Sequence, residues 1–163
     1  MDISERSLLQ IGKLCGSITK QYLSVLGKKL NHLPIERYYY AFWVISQNDG
    51  AISQKDLSEL LNADKVIIVR IVDYLSEKGF IERKSNPEDR RSHLLAITTT
   101  GKKHVTTVEK AIKETDTEFL DALPKERQND FVSDLISVAN NSTLIKGERI
   151  ALDYSLIKQE NDG

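Results

Sequence analysis

Four cations flank one turn. Arg83 and Lys84 precede Asn86-Pro87-Glu88-Asp89, and Arg90 and Arg91 follow it. Such groups gathered on a protrusion bind an anion, and a planar guanidinium suits phosphate geometry best. Upstream, Lys65 and Arg70 bracket the β-branched Val66, Ile67 and Val69. Nothing comparable supports catalysis. There is no Ser-His-Asp arrangement and no Gly-rich phosphate loop, and Gly101-Lys102-Lys103 does not make one. His32, His93 and His104 are scattered, with no cysteine or carboxylate at ligand spacing, so no metal or cofactor is expected. The expectation is a binding protein, not an enzyme.

Positioning these cations requires particular elements. Leu8, Ile11, Leu14, Ile18, Tyr22, Val25 and Leu26 recur every three or four residues, which predicts a long first helix ending near Asn31. Pro34 is expected to open a second helix through about Gln47, followed by a turn at Asn48-Asp49-Gly50. Ser53-Gln54-Lys55-Asp56 is a capping box that starts a short helix. After a break at Asn62-Ala63, Asp64 caps the next segment. Propensity alone reads Val66 to Val72 as strand. The stripe Ile68, Ile71, Val72 and Leu75, with Gly79 as a stop, predicts a helix instead. Phe80–Ser85 and Ser92–Ile97 read as a hairpin around the cationic turn. Thr98 begins a long helix carrying Val105, Val108, Ile112, Phe119 and Leu123, and Pro124 begins another carrying Phe131, Leu135, Ile136 and Val138. The last twenty or so residues keep Leu144, Ile145, Ile150, Leu152, Tyr154, Leu156 and Ile157, enough to expect packing against something.

Bulk properties bound the answer. The chain has 163 residues, 40% hydrophobic and 29% charged, an ordinary globular balance. A net charge of −1 does not by itself point to a nucleic acid. The charge is uneven, however: residues 53–103 hold ten basic against eight acidic side chains, while the acidic excess lies beyond residue 104. No apolar run nears the ~20 residues of a membrane span. MDISERSLLQ has no apolar core of a leader, and one cysteine cannot form an internal disulfide. A cytoplasmic location without membrane contact is therefore expected.

A short capped helix, a second helix and a cation-tipped hairpin match the demands of duplex DNA. The major groove admits one helix. The helix before it crosses the backbone, where Ser53 and first-turn amides are expected to hold a phosphate. An arginine-tipped hairpin reaches the adjacent minor groove.

The residues Asn86-Pro87-Glu88-Asp89-Arg90-Arg91 followed by Leu94-Leu95-Ala96-Ile97-Thr98-Thr99-Thr100-Gly101 resemble the wing signature of the MarR family, an Asp-x-Arg and then a Leu-Thr-x-x-Gly with Ile97 in place of Leu. Ser53-Gln54-Lys55-Asp56-Leu57 and Val72-Asp73-Tyr74-Leu75-Ser76-Glu77-Lys78-Gly79-Phe80-Ile81 are similar to that family's helix-turn-helix. The similarity spans about residues 5 to 142. It implies a mainly α chain with a winged helix-turn-helix over 34–103, and N- and C-terminal helices, 1–33 and 104–163, forming a dimerisation region. It also implies a homodimer on a pseudo-palindromic operator, a transcriptional role, and a small effector in a cleft between the two regions. By the same resemblance Asp89 braces Arg91, and Arg90 and Arg91 anchor the wing on DNA.

One departure bears on the operator. Where the family shows small hydroxyl residues on the groove face, this chain has Val66, Ile67 and Val69, leaving Lys65, Arg70 and Tyr74 for polar contacts. Apolar side chains there meet thymine methyls, so a T-rich site is expected. A dimeric interaction module with lost or weakened DNA binding is the alternative. Tyr38, Tyr39 and Trp43 are candidates to line a pocket for a small aromatic or phenolic effector, or else core residues. Cys15 is expected to be a buried structural thiol. The competing reading is a peroxide sensor, because one branch of the family senses hydroperoxides through a cysteine on its first helix.

Overall fold

The computed structural model describes residues 10–35 and 37–142. Among these residues six helices and one small sheet appear in the order α1 (Ile11–Lys29), α2 (Tyr39–Gln47), β1 (Ile52–Ser53), α3 (Gln54–Leu60), α4 (Lys65–Glu77), β2 (Ile81–Ser85), β3 (His93–Ile97), α5 (Thr99–Leu120) and α6 (Lys125–Ser142). The chain is a mainly α winged helix-turn-helix, as expected. The apolar tail beyond residue 142 lies outside the described residues.

The β-branched run of α4 is helical. Its Ile68, Ile71, Val72 and Leu75 are all buried, because burying one continuous stripe outweighs the local strand preference of Val and Ile. They meet Leu57 of α3, Ile45 and Phe42 of α2, Phe80, and the inner residues Ile81, Leu95 and Ile97 of the sheet in one core. Phe42 and Phe80 meet edge to face, with ring centroids 5.6 Å apart.

Two expectations need correction. The second helix starts at Tyr39, not at Pro34. Leu33 and Ile35, two residues apart, are both buried, a spacing that a helix would place on different faces, so this stretch turns before it coils. The wing strands β2 and β3 belong to a three-stranded antiparallel sheet, ordered β1-β3-β2, rather than to a lone hairpin. Ile52 and Ser53 pair with Leu95 and Leu94, and the two-residue strand has no pattern of its own to announce it. Thr115, fully buried on α5, returns its hydroxyl proton to the Ala111 carbonyl at 2.7 Å and so satisfies itself within its helix.

Several short contacts fix the wing to the rest. Asp49 Oδ1 accepts the Ile97 amide at 2.7 Å, and Gly50, at φ +77°, donates its amide to the Leu95 carbonyl at 2.8 Å. Thr98 caps α5: its hydroxyl accepts the Gly101 amide at 3.0 Å and donates to the Gly79 carbonyl at 2.6 Å. Gly101 itself abuts Phe80, whose carbonyl oxygen lies 2.1 Å from where a Cβ would stand. The Thr-x-x-Gly motif is therefore a docking joint between the long helix and the end of α4.

Candidate nucleic-acid interface

The helix-turn-helix is built by caps at each corner. Ser53 caps α3, accepting the Asp56 amide at 3.3 Å, while Asp56 Oδ2 accepts both the Ser53 amide and the Ser53 hydroxyl at 2.8 Å. These bonds, the backbone amide first and the hydroxyl second, hold the Asp56 carboxyl below the usual carboxylate range. The turn between α3 and α4 places Asn62 at φ +46°, a conformation asparagine tolerates. Ala63 donates its amide to the Ser58 carbonyl at 3.0 Å, and Ser58 returns its hydroxyl to the Ala63 carbonyl at 2.7 Å. Asp64 then caps α4, accepting the Val66 amide at 2.8 Å. At the far end Gly79, at φ +73°, ends the helix, with Phe80 donating its amide to the Leu75 carbonyl.

With its stripe buried, α4 turns Lys65, Val66, Val69, Arg70, Asp73 and Glu77 outward. Val66 is 68% exposed and Val69 46%, and Leu60 of α3, at 58%, adds a third uncovered apolar side chain. Cations and bare β-branched groups thus share one helix face.

Three expected contributors are engaged elsewhere. Ile67 is half-buried and packs on the core, because it flanks the inward stripe rather than the outward face. Tyr74 also flanks: its ring meets Tyr38 edge to face at 5.1 Å, and its hydroxyl donates to the Pro34 carbonyl at 3.2 Å. Ser53 is turned to its own cap, and the Asp56 carboxylate occupies the N-terminus of that helix where a phosphate was expected. Sequence reasoning overlooked Asp73 on the outward face. Its signal was present, since it follows Val69 by four residues on the same helix.

The wing tip is organised by its acids and amides. Asp89 Oδ1 accepts the Arg91 backbone amide at 2.9 Å, and the Asp89 carbonyl accepts the Ser92 amide at 3.0 Å. Asn86 Oδ1 accepts the Glu88 amide at 2.9 Å, and Asn86 Nδ2 donates to Ser92 Oγ at 2.8 Å. Asp89 thus holds the backbone of Arg91 here. The side chains of Arg90 and Arg91 project as exposed residues.

The aromatic candidates are placed differently from one another. Tyr39 is a core residue, 5% exposed, while Tyr38 and Trp43 are half-buried against the core. The Trp43 indole N–H is buried without a hydrogen-bond partner. A shallow depression of about 340 Å³ lined by Lys113, Glu114, Thr117 and Glu118 touches none of the three. Cys15 is exposed, contrary to its expected burial, because residues 11–18 of α1 extend past the elements that cover its second half. Among the described residues, no three of His, Cys, Asp and Glu gather as a metal site. No helix among them is long and apolar enough to cross a membrane.

Comparison with known proteins agrees with this geometry. The family model described as "MarR family" matches residues 43–93, from α2 to the start of β3. The chain is 36% identical over 81 residues to a Thauera aromatica protein named for a regulatory role at the hcr operon, an overlap of 50% of this chain and 48% of that one. It thus spans about half the length of that relative. It is 27% identical over 129 residues to the HTH-type transcriptional regulator YdcH of Bacillus subtilis, covering 76% of this chain and 86% of YdcH. The crystal structure of a MarR transcriptional regulator from Methanosarcina mazei superposes with a TM-score of 0.74 at 25% identity, over 83% of this chain and 98% of that one. Through the matched helix-turn-helix and the shared architecture, this chain is similar to regulators of the MarR family.

Proposed function

We propose that this chain is a DNA-binding transcription regulator that grips a pseudo-palindromic operator as a homodimer. The observation that carries the reading is the outward face of α4. It offers Lys65, Val66, Val69 and Arg70 to a groove, while exposed Arg90 and Arg91 stand on a wing braced to the same core. Arg70 reads or anchors the major groove, Lys65 anchors a phosphate, and Val66 and Val69 favour thymine methyls. Arg90 and Arg91 supply minor-groove or backbone attraction.

Pairing of two copies has its own support. Ile11, Leu14 and Ile18 on α1 and Phe131, Leu135, Ile136 and Val138 on α6 are 43–64% exposed. Apolar surface on both terminal helices is what a partner would cover. The dimerisation region is accordingly assigned to the terminal segments, 1–33 and 104–163, and the reading unit to 34–103. A cytoplasmic setting and control by a small aromatic or phenolic effector complete the proposal.

Selection of bound duplexes from a random library tests it. The expected product is an inverted repeat, T-rich at contacted steps, with half-site centres one helical turn or a multiple of it apart, ~34–36 Å per turn. No enrichment, together with no binding to random duplex at low salt, would overturn it and favour an interaction module.

A further inference from the structure

An aspartate on a face meant for a polyanion is costly unless it has a function there. Asp73 stands in the third turn of α4, on the outward side with Val69 and Arg70, and its side chain is 61% exposed. It is bound to Arg83 of β2, whose Nη2 donates to Asp73 Oδ1. The other end of the guanidinium, Nη1, donates to Ser76 Oγ at 3.4 Å. Arg83 shares the sheet face of buried Ile81 two residues before it, which directs it toward α4 rather than away. Both ends of the fork are therefore held by the helix, and the Arg83 side chain is 29% exposed beside the face proposed to meet DNA.

We infer that Asp73 is a specificity-determining residue: by holding Arg83 on the helix it withholds a cation from the phosphate backbone and adds a negative charge to the reading face. The inference rests on the DNA-binding reading above. Its logic is that phosphate contacts strengthen binding to every sequence alike, whereas discrimination depends on the difference between sites. A released Arg83 has a flexible stem and a phosphate-shaped fork, so it adds affinity without adding information. The pair also ties the wing strand to α4, a structural role that measurements of stability alone would report.

The test is salt-titrated binding of the full chain and of Asp73→Asn, Asp73→Ser, Arg83→Gln and Asp73→Asn/Arg83→Gln. Each is titrated against a random duplex and against the operator recovered by selection, with circular dichroism confirming the fold. Freeing Arg83 should steepen the slope of log affinity against log salt by about 0.9, which widens the ratio of affinities at 50 and 200 mM about 3.5-fold. Random-duplex affinity should rise more than operator affinity, and the gap between them should narrow. In the Arg83→Gln background the Asp73 substitution should not steepen the slope. Asp73→Ser covers the case in which an asparagine amide still holds the guanidinium. Unchanged slopes in both Asp73 variants, or an equal gain without Arg83, would overturn the inference while leaving the DNA reading intact. A parent chain that binds no duplex at low salt would remove both.

Discussion

The Tyr40 hydroxyl donates to the Tyr22 hydroxyl at 2.8 Å, and the Tyr22 hydroxyl donates to Asp116 Oδ1 at 2.6 Å. This relay joins α2, within the proposed reading unit, to α1 and α5. Tyr22 also packs against Phe119, ring centroids 5.2 Å apart. Tyr22→Phe breaks both bonds and should lower unfolding free energy by about 1–2 kcal/mol, while Tyr40→Phe breaks one and should cost about 0.5–1.5. Denaturant melts of the two variants check the order. Burial first, then the bond to Asp116, pushes the Tyr22 phenol above its ordinary range. A neutral-stabilised phenol contributes stability that is complete below the unfolded value, about pH 10, and is lost above it as the unfolded state alone ionises. Stability should fall above about pH 10, and less so in Tyr22→Phe.

Gly101→Ala should be severe for its size. The added methyl meets a backbone carbonyl at 2.1 Å and the Ile97 side chain at 2.9 Å. Backbone cannot step aside as a flexible side chain does, so a loss of about 1–3 kcal/mol is expected in thermal unfolding. An unchanged melting temperature would show that α5 does not seat on Phe80 this closely.

Ser53→Ala removes the α3 cap and should cost about 1 kcal/mol. The Asp56 carboxyl is held low by the same cap. Its contribution is present above the unfolded value, about pH 4, and is lost as pH falls below that. The acid limb of stability should therefore be shallower in Asp56→Asn than in the parent chain, as followed by circular dichroism.

Ile18→Glu and Leu135→Glu place charges on the uncovered faces of α1 and α6, more than half exposed in the single chain. Each should shift sedimentation toward the monomer while leaving the helical signal near that of the parent. A dimer that survives both substitutions would move the pairing surface elsewhere.

Arg70→Ala and Arg91→Ala should fail differently. Loss of a base contact by Arg70 should cost about 1–3 kcal/mol on the selected operator and relax one position of it. Loss of a backbone contact by Arg91 should weaken all duplexes alike and flatten the salt slope by about 0.9. Fluorescence anisotropy on operator and scrambled duplex separates the two.

Much of the fold was legible because burial here follows period. The inward stripe of α4 is spaced three and four residues apart, and that spacing decided against strand where residue type alone would not. The capping box at Ser53 and the stop at Gly79 read directly from residue chemistry. What stayed hidden depends on distant partners. β1 exists because Leu94 and Leu95 lie opposite it, and Asp49 matters because it reaches the Ile97 amide forty-eight residues away. The outward arc of α4 was misread at its edges, taking in Ile67 and Tyr74 and omitting Asp73. Position on a helical arc follows from the stripe, whereas residue type suggested only that a β-branched run acts together. Tyr39 and Cys15 show the same limit. Their neighbours across the fold, present for one and absent for the other, set their exposure.

The seat of Gly101 on Phe80 has a mechanical result. α5 runs 22 residues, about 33 Å, from that joint to the turn before α6. A tilt of about 5° at the joint carries the far end through about 3 Å, and the reverse holds when the far end is the driven one. The helix is a lever with its fulcrum at the base of the wing. A shift imposed at the far end of α5 would therefore be felt at the base of the wing as a tilt.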